Sequence, residues 1–190
     1  MSLPEMFTTA RTTEAAEERE RYNQRYQGYY SKIKFVSLSI LLLGPNTTTR
    51  TSLSGKLLDI QRALASHGHN VIFRDDLSPY DADLSQRTAK LAQAIAAHLT
   101  IALDDSSDVV TEIYDFCSHP NIVNKFFVMI PELQQGLSDL QFILKNLNSF
   151  GGVHWYQDEE IGNCNLLREA IKRANARRGM FAFEKIKEAL

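Results

Sequence analysis

The chain has 190 residues, of which 44% are hydrophobic and 23% are charged, and its formal net charge is −2. This composition supports a buried core and excludes a globally disordered chain. A charge this close to zero supplies no basic field, so we expect no nucleic-acid partner.

Cysteine, histidine and hydropathy patterns exclude several further classes of protein. Cys117 and Cys164 form no CxxC pair and are too few for a disulfide scaffold, and the five histidines lack metal-ligand spacing. The longest apolar runs have the length of strands, and the first residues lack an apolar signal core. We therefore expect no metal, no membrane partner and a cytoplasmic protein.

The amino-terminal part, residues 1–33, is predicted as a flexible segment followed by a charged helix. Residues 1–10 are predicted to be disordered, and the helix is predicted over residues 12–30. Its tyrosines share one helical stripe, which suits packing on the main body or on a second subunit: Tyr22, Tyr26, Tyr29 and Tyr30.

The remainder, residues 34–190, is predicted as one α/β domain in which strands and helices alternate. Strands are predicted at 35–43, 70–73, 100–103, 125–130 and 153–156. Helices are predicted at 55–67, closed by Gly68, at 85–99, after the third strand, at 138–148 and at 164–176.

This order of elements predicts a flavodoxin-like (Rossmann-like) three-layer sandwich. Its five-stranded, mostly parallel sheet would have the strand order 2-1-3-4-5. The order reverses between the first and third strands, and ligands of such sheets bind at that switch point, at the carboxyl ends of the strands. Two loops meet there, residues 44–54 and residues 104–108.

The first loop begins with Gly44, Pro45 and Asn46 and precedes a helix. It matches neither GxxxxGK[ST] nor GxGxxG, so no bound cofactor is predicted. Backbone N–H groups and Arg50 in this loop could hold a phosphate or a ribose. The alternative is an ordinary strand-to-helix loop with Ser54 as the helix cap.

The second loop, with Asp104 and Ser106, leads into a helix that carries Glu112 about one turn from its start. A carboxylate at the mouth of a crevice can attack an anomeric carbon or stabilise an oxocarbenium ion. The alternative is a carboxylate that complements the helix dipole.

Two other strand ends supply candidate binding residues. Asp75, after the second strand, could orient sugar hydroxyls or simply begin a polar loop. Trp155 and Tyr156 end the fifth strand and could stack on a base, although half-buried aromatic residues are common in strands.

Three segments together resemble the nucleoside 2-deoxyribosyltransferase-like superfamily and its relatives with Toll/interleukin-receptor-like (TIR-like) folds: LLLGPN, NVIFRDDL and DDSSDVVTEIYDF. The resemblance implies a flavodoxin-like sheet and activity on N-glycosidic bonds of nucleosides, nucleotides or NAD. It also implies that Glu112 is the catalytic carboxylate and that the chain forms a homodimer.

We therefore expect a nucleoside, nucleotide or NAD N-glycosidic bond hydrolase or transferase in which Glu112 acts at the anomeric carbon. Residues around it would position ribose, phosphate and base: Gly44, Pro45, Asn46, Asp75, Asp104, Ser106, and Trp155 or Tyr156. The alternative is a non-catalytic nucleotide-binding or assembly module with a TIR-like fold. A receiver-like phosphorylation domain is set aside because the first strand ends in Gly44-Pro45 rather than in an acidic pair.

Overall fold

The structure is a computed structural model of the chain. It describes residues 3–48, 51–73, 85–103, 107–136, 141, 144–145, 147 and 152–188, and for residues 3–14, 86, 107–110, 112 and 186–188 it describes the backbone alone. The chain divides into two compact units, Met1–Val36 and Ser37–Leu190.

The first unit consists of one long helix, α1 (Leu3–Lys34). It begins at Leu3 rather than at Thr12, because Pro4 is tolerated in a first helical turn and no glycine follows before Gly28. Its side chains from residue 15 to residue 32 are all exposed. Two ring stacks join Tyr22, Tyr26 and Tyr30, with centroids 6.5 and 6.1 Å apart.

The second unit contains a five-stranded sheet with the order β2-β1-β3-β4-β5. Every strand pair is parallel, which confirms the predicted flavodoxin-like α/β arrangement and its strand order. The strands are β1 (Ser39–Leu43), β2 (Asn70–Phe73), β3 (Leu99–Leu103), β4 (Phe126–Pro131) and β5 (Gly152–Tyr156).

Helices connect and flank these strands: α2 (Ser52–Ser66), α3 (Gln86–Ala96), α4 (Ser107–Cys117), α5 (Pro120–Val123), α6 (Asp158–Gly162) and α7 (Asn165–Glu188). A 3₁₀ turn, Glu132–Gln134, follows β4. Most of the helix predicted at 138–148 lies outside the described residues. Within the described part of the chain, no helix has both the length and the apolar character that a membrane span requires.

The ends of α2 show how local chemistry fixes a helix. Thr51 is the N-cap, and its side chain and that of Ser54 bond each other's backbone N–H groups in a capping box. Ser54 therefore stands inside the helix, and the prediction that it is the cap is wrong. Gly68 follows α2 with φ of +81°, a left-handed conformation that suits glycine and confirms it as the residue that ends the helix.

The sheet is covered on both faces, because alternate strand residues point to opposite sides. On one face Ile40 and Leu42 pack with side chains of α2 and α7. On the other face Leu41 and Leu43 pack with side chains of α3, α4 and α5. The result is the predicted three-layer sandwich, with every residue of β3 buried.

Two histidines hold the start of β1 at the amino edge of the sheet. The Leu38 N–H donates to Nδ1 of His69 at 3.2 Å, and the Ser39 N–H donates to Nδ1 of His98 at 2.9 Å. Burial lowers the pKa of His69 to about 4, and the charges of Arg178 and then of His67 add to this effect. Both rings therefore favour the neutral form, because an accepting nitrogen must lack a proton.

Candidate functional site

The switch point of the sheet lies between β1 and β3, whose carboxyl ends are adjacent. Leu43 pairs with Ala102, so Gly44 comes next to Leu103. A Cβ atom at Gly44 would lie 3.1 Å from the carbonyl oxygen of Leu103 and 3.1 Å from the Leu57 side chain. Glycine therefore allows the loop after β1 to leave the sheet in close contact with the end of β3.

The loop after β1 is held by its own side chains. Pro45 is buried. Oδ1 of Asn46 accepts hydrogen bonds from the N–H (2.8 Å) and the hydroxyl (2.7 Å) of Thr48. This Asx turn orders the loop as far as Thr48, and the Thr51 cap fixes the start of α2, whose N-terminal end lies at the same edge. Arg50 lies outside the described residues.

Helix α4 carries Glu112 away from the end of β3. The helix begins at Ser107. The backbone of Glu112 therefore lies about 7.5 Å beyond that of Ser107 along the helix axis, which is somewhat more than the single turn predicted. Ile113 and Phe116 are fully buried and fix α4 against the sheet. The position of the Glu112 backbone is therefore set by core packing.

The remaining acidic and hydroxyl candidates cannot be placed. Asp75, Asp104 and Ser106 lie outside the described residues, and the side chain of Glu112 does so too. Their roles stay predictions. The described half of the site is the loop Gly44–Asn46 and the backbone of α4.

The two aromatic residues at the end of β5 lie on opposite faces of the sheet. Tyr156 is 1% exposed and packs in the core layer of α2 and α7. Because successive strand residues point to opposite faces, Tyr156 points away from the face that carries α4. It cannot stack on a base in a crevice beside α4, so its predicted role is wrong. Trp155 is half-buried on the α4 face. With β4 between β5 and β3, it lies about 10 Å from the central strand.

A polar network that the sequence analysis missed joins the ends of β4 and β5. Nε2 of His154 lies 3.0 Å from Oε2 of Glu160, whose other oxygen accepts from the Gln157 N–H at 3.3 Å. The Gln157 side-chain amide donates to Glu132 at 3.0 Å. The Gln157-x-x-Glu160 spacing is a capping-box signal that could have revealed part of it.

Neither a metal centre nor a cysteine nucleophile is found in the described part of this edge. Among the residues that the structure describes, no group of three His, Cys, Asp or Glu side chains is arranged to hold a metal ion. Burial raises the pKa of the Cys117 thiol, on α4, to about 12. Cys117 therefore belongs to the core of α4 rather than to the chemistry of the site.

Comparisons with known proteins give no family and no function. No family model matches the chain, and no curated protein matches it. Among solved structures, it is similar to a conserved protein from Enterococcus faecalis V583, with 15% sequence identity and a TM-score of 0.47. That match covers 73% of this chain and 99% of the other.

Proposed function

We propose that the chain is an N-glycosidic bond hydrolase or transferase acting on a nucleoside, a nucleotide or NAD, with Glu112 as its catalytic carboxylate. One observation carries the proposal. The helix bearing Glu112 follows β3 at the switch point, where Gly44 of the neighbouring loop contacts the end of the same strand. Ligands of open α/β sheets bind in this crevice.

The proposed reaction breaks the bond between the anomeric carbon of a ribose and a nitrogen of the base. The base leaves with the bonding electrons and takes up a proton, and positive charge develops on the sugar. The Glu112 carboxylate stabilises that charge or forms a bond to the anomeric carbon. Water completes a hydrolysis, whereas a second base completes a transfer.

The other candidate residues are assigned to binding in this proposal. Asp75, Asp104 and Ser106 position ribose hydroxyls, and Trp155 is the candidate for base stacking. The loop Gly44–Asn46 faces ribose or phosphate. Its defined turn, directly before the N-terminal end of α2, supports this assignment because helix N-termini favour anions.

The test is a turnover assay on purified protein with a panel of nucleosides, nucleotides and NAD. Free base is measured by liquid chromatography, with and without an acceptor base. We expect release by the native chain, loss of release in Glu112→Gln, and native activity in the control Asp59→Asn, which alters an exposed carboxylate of α2.

The same panel separates catalysis from signal binding. A ligand that raises the melting temperature of the native protein and is recovered intact would favour the alternative, a non-catalytic nucleotide-binding module. Release of base at the same rate from Glu112→Gln and native protein would refute the role of Glu112.

We also propose that the protein is a cytoplasmic homodimer. The tyrosine side chains of α1 are all at least 52% exposed, which suits a contact with a second copy. Both cysteines are free, which suits a reducing compartment. Sedimentation velocity on the full chain at several concentrations tests the dimer.

A further inference from the structure

A second pocket lies at the opposite, amino edge of the sheet. It is bounded by α7 and by the starts of β3 and β4, and its space, counted together with the open solvent at its mouth, is about 320 Å³. Three cationic side chains line it: Lys125, Arg173 and Arg177. The rest of the lining is largely apolar, with Leu99 and Phe126 at its floor.

Arg173 is the residue of this pocket most available to a ligand. Its guanidinium lies over the ring of Phe127, 4.8 Å from the centroid, and against the α-carbon of Gly152, where a Cβ would overlap it. Among the residues that the structure describes, no carboxylate pairs with this half-buried guanidinium. Its planar set of N–H donors is therefore held in one orientation, with no described carboxylate to receive them.

The other two cations are held by backbone carbonyls. Nζ of Lys125 donates to the carbonyl oxygens of Ile95 (2.5 Å) and Ala97 (2.6 Å). Nε of Arg177 donates to the carbonyl of His98 at 3.0 Å, and its NH1 lies 3.6 Å from the half-exposed Glu184. Within the described part of the chain, Glu184 is the one carboxylate that pairs with any of these three cations, and each cation keeps donors for a further partner.

The electrostatics of this edge show the same excess of positive charge. Burial and then the charge of Arg177 lower the pKa of Lys125. Burial lowers the pKa of His98, and the charges that add to this effect come from Lys125, Lys185 and Arg177. Every charge named here is positive, so a bound anion would relieve repulsion as well as form hydrogen bonds.

We propose that this pocket is a binding site for a phosphate-type oxyanion, with Arg173 as the principal ligand and Arg177 and Lys125 as supporting ligands. An arginine fork binds two phosphate oxygens at once, and a lysine adds a compact point charge. The pocket is small and partly open to solvent, which suits a phosphate group better than a whole nucleotide. The site does not depend on the function proposed for the opposite edge.

The experiment is a titration of the full chain with inorganic phosphate at constant ionic strength. Binding is measured by calorimetry and by NMR. We expect saturable binding, shifts of the Arg173 Nε–H and Gly152 amide signals, and a rise in the pKa of His98. Arg173→Gln should weaken binding about tenfold or more, the loss expected for charge-assisted hydrogen bonds. Arg168→Gln, an exposed change elsewhere on α7, should bind as the native chain does.

A second variant shows whether weaker binding comes from the lost guanidinium or from unfolding of the variant, and a second ligand identifies the source of the anion. Arg173→Lys keeps the charge and the aliphatic stem but loses the planar fork, so it should fold and bind with intermediate affinity. Ribose 5-phosphate binding more tightly than inorganic phosphate would identify a sugar phosphate as ligand, and equal affinity would identify the free ion. Equal weakening in Arg173→Gln and Arg168→Gln, no saturable binding, or tighter and steeply salt-dependent binding of an oligonucleotide would overturn the proposal.

Discussion

Acid should destabilise the second unit through His69, which accepts a backbone hydrogen bond at the start of β1. The ring is 6% exposed, its Nδ1 accepts the Leu38 N–H, and its Nε2 lies 2.8 Å from the Arg178 guanidinium. Protonation would therefore set N–H groups against other donors beside a fixed positive charge. A neutral ring accepts at one of its two nitrogens, whereas a protonated ring accepts at neither, so this fold favours the neutral ring.

The size of the effect follows from the two pKa values. The folded pKa of His69 is about 4, against an ordinary value of 6.5 for the unfolded chain. Because the unfolded chain binds the additional proton between these values, stability is complete above pH 6.5 and falls as the pH drops towards 4. The loss is about 3 kcal/mol at 1.36 kcal/mol per pKa unit. That corresponds to roughly 10 °C in melting temperature for a domain of this size.

The assay is urea unfolding followed by circular dichroism from pH 7.5 to pH 4. His69→Asn offers Oδ1 as an acceptor that does not titrate, so its free energy of unfolding should fall by about 3 kcal/mol less than that of the native chain. His119→Asn is the control, because Asn is also a good N-cap for α5. If His69→Asn and the native chain lost equal stability across this range, the assignment of the effect to His69 would be wrong.

Three further outcomes follow from backbone conformation, burial and thiol chemistry. Gly68→Ala should lower the free energy of unfolding by about 1 kcal/mol because φ at this position is positive. Gly55→Ala should raise it by up to about 1 kcal/mol, because Gly55 lies within α2 and a Cβ there would meet open space. Equal effects of the two substitutions in urea unfolding would contradict this. Thr100→Val should stabilise the protein by about 1 kcal/mol, because the buried Thr100 hydroxyl has no partner among the described residues, and a lower midpoint would contradict this. Iodoacetamide at pH 8 should label exposed Cys164 far faster than Cys117, as mass spectrometry of peptides would show; comparable rates would contradict the high pKa of Cys117.

The sheet could be predicted because its signals are local. The apolar run that forms β4 and the alternation of short strands with helices determine a parallel sheet with few possible orders. Strand β2, Asn70–Phe73, has the predicted ends, since Gly68 and polar residues bound it. Helix ends were less certain because Thr51 and Ser54 are both good caps, and only the reciprocal bonds identify which residue starts α2.

The sites depended on contacts between residues far apart in the chain. Whether Trp155 or Tyr156 faces α4 depends on which side of β5 is turned towards that helix, and a one-residue shift would exchange them. The contact of Arg173 with Phe127 and Gly152 requires both the β4–β5 register and the docking of α7. No short motif encodes either arrangement, so the amino-edge pocket gave no signal in the sequence.

The most direct measurement of the central claim compares ligand binding with turnover in Glu112→Gln, using whichever panel member releases base most rapidly. Because Gln keeps the size of the side chain and removes its charge, we expect a dissociation constant within about threefold of the native value and a turnover rate lower by about a thousandfold. A Glu112→Gln protein that binds and releases base as the native protein does would show that the carboxylate on α4 takes no part in breaking the glycosidic bond.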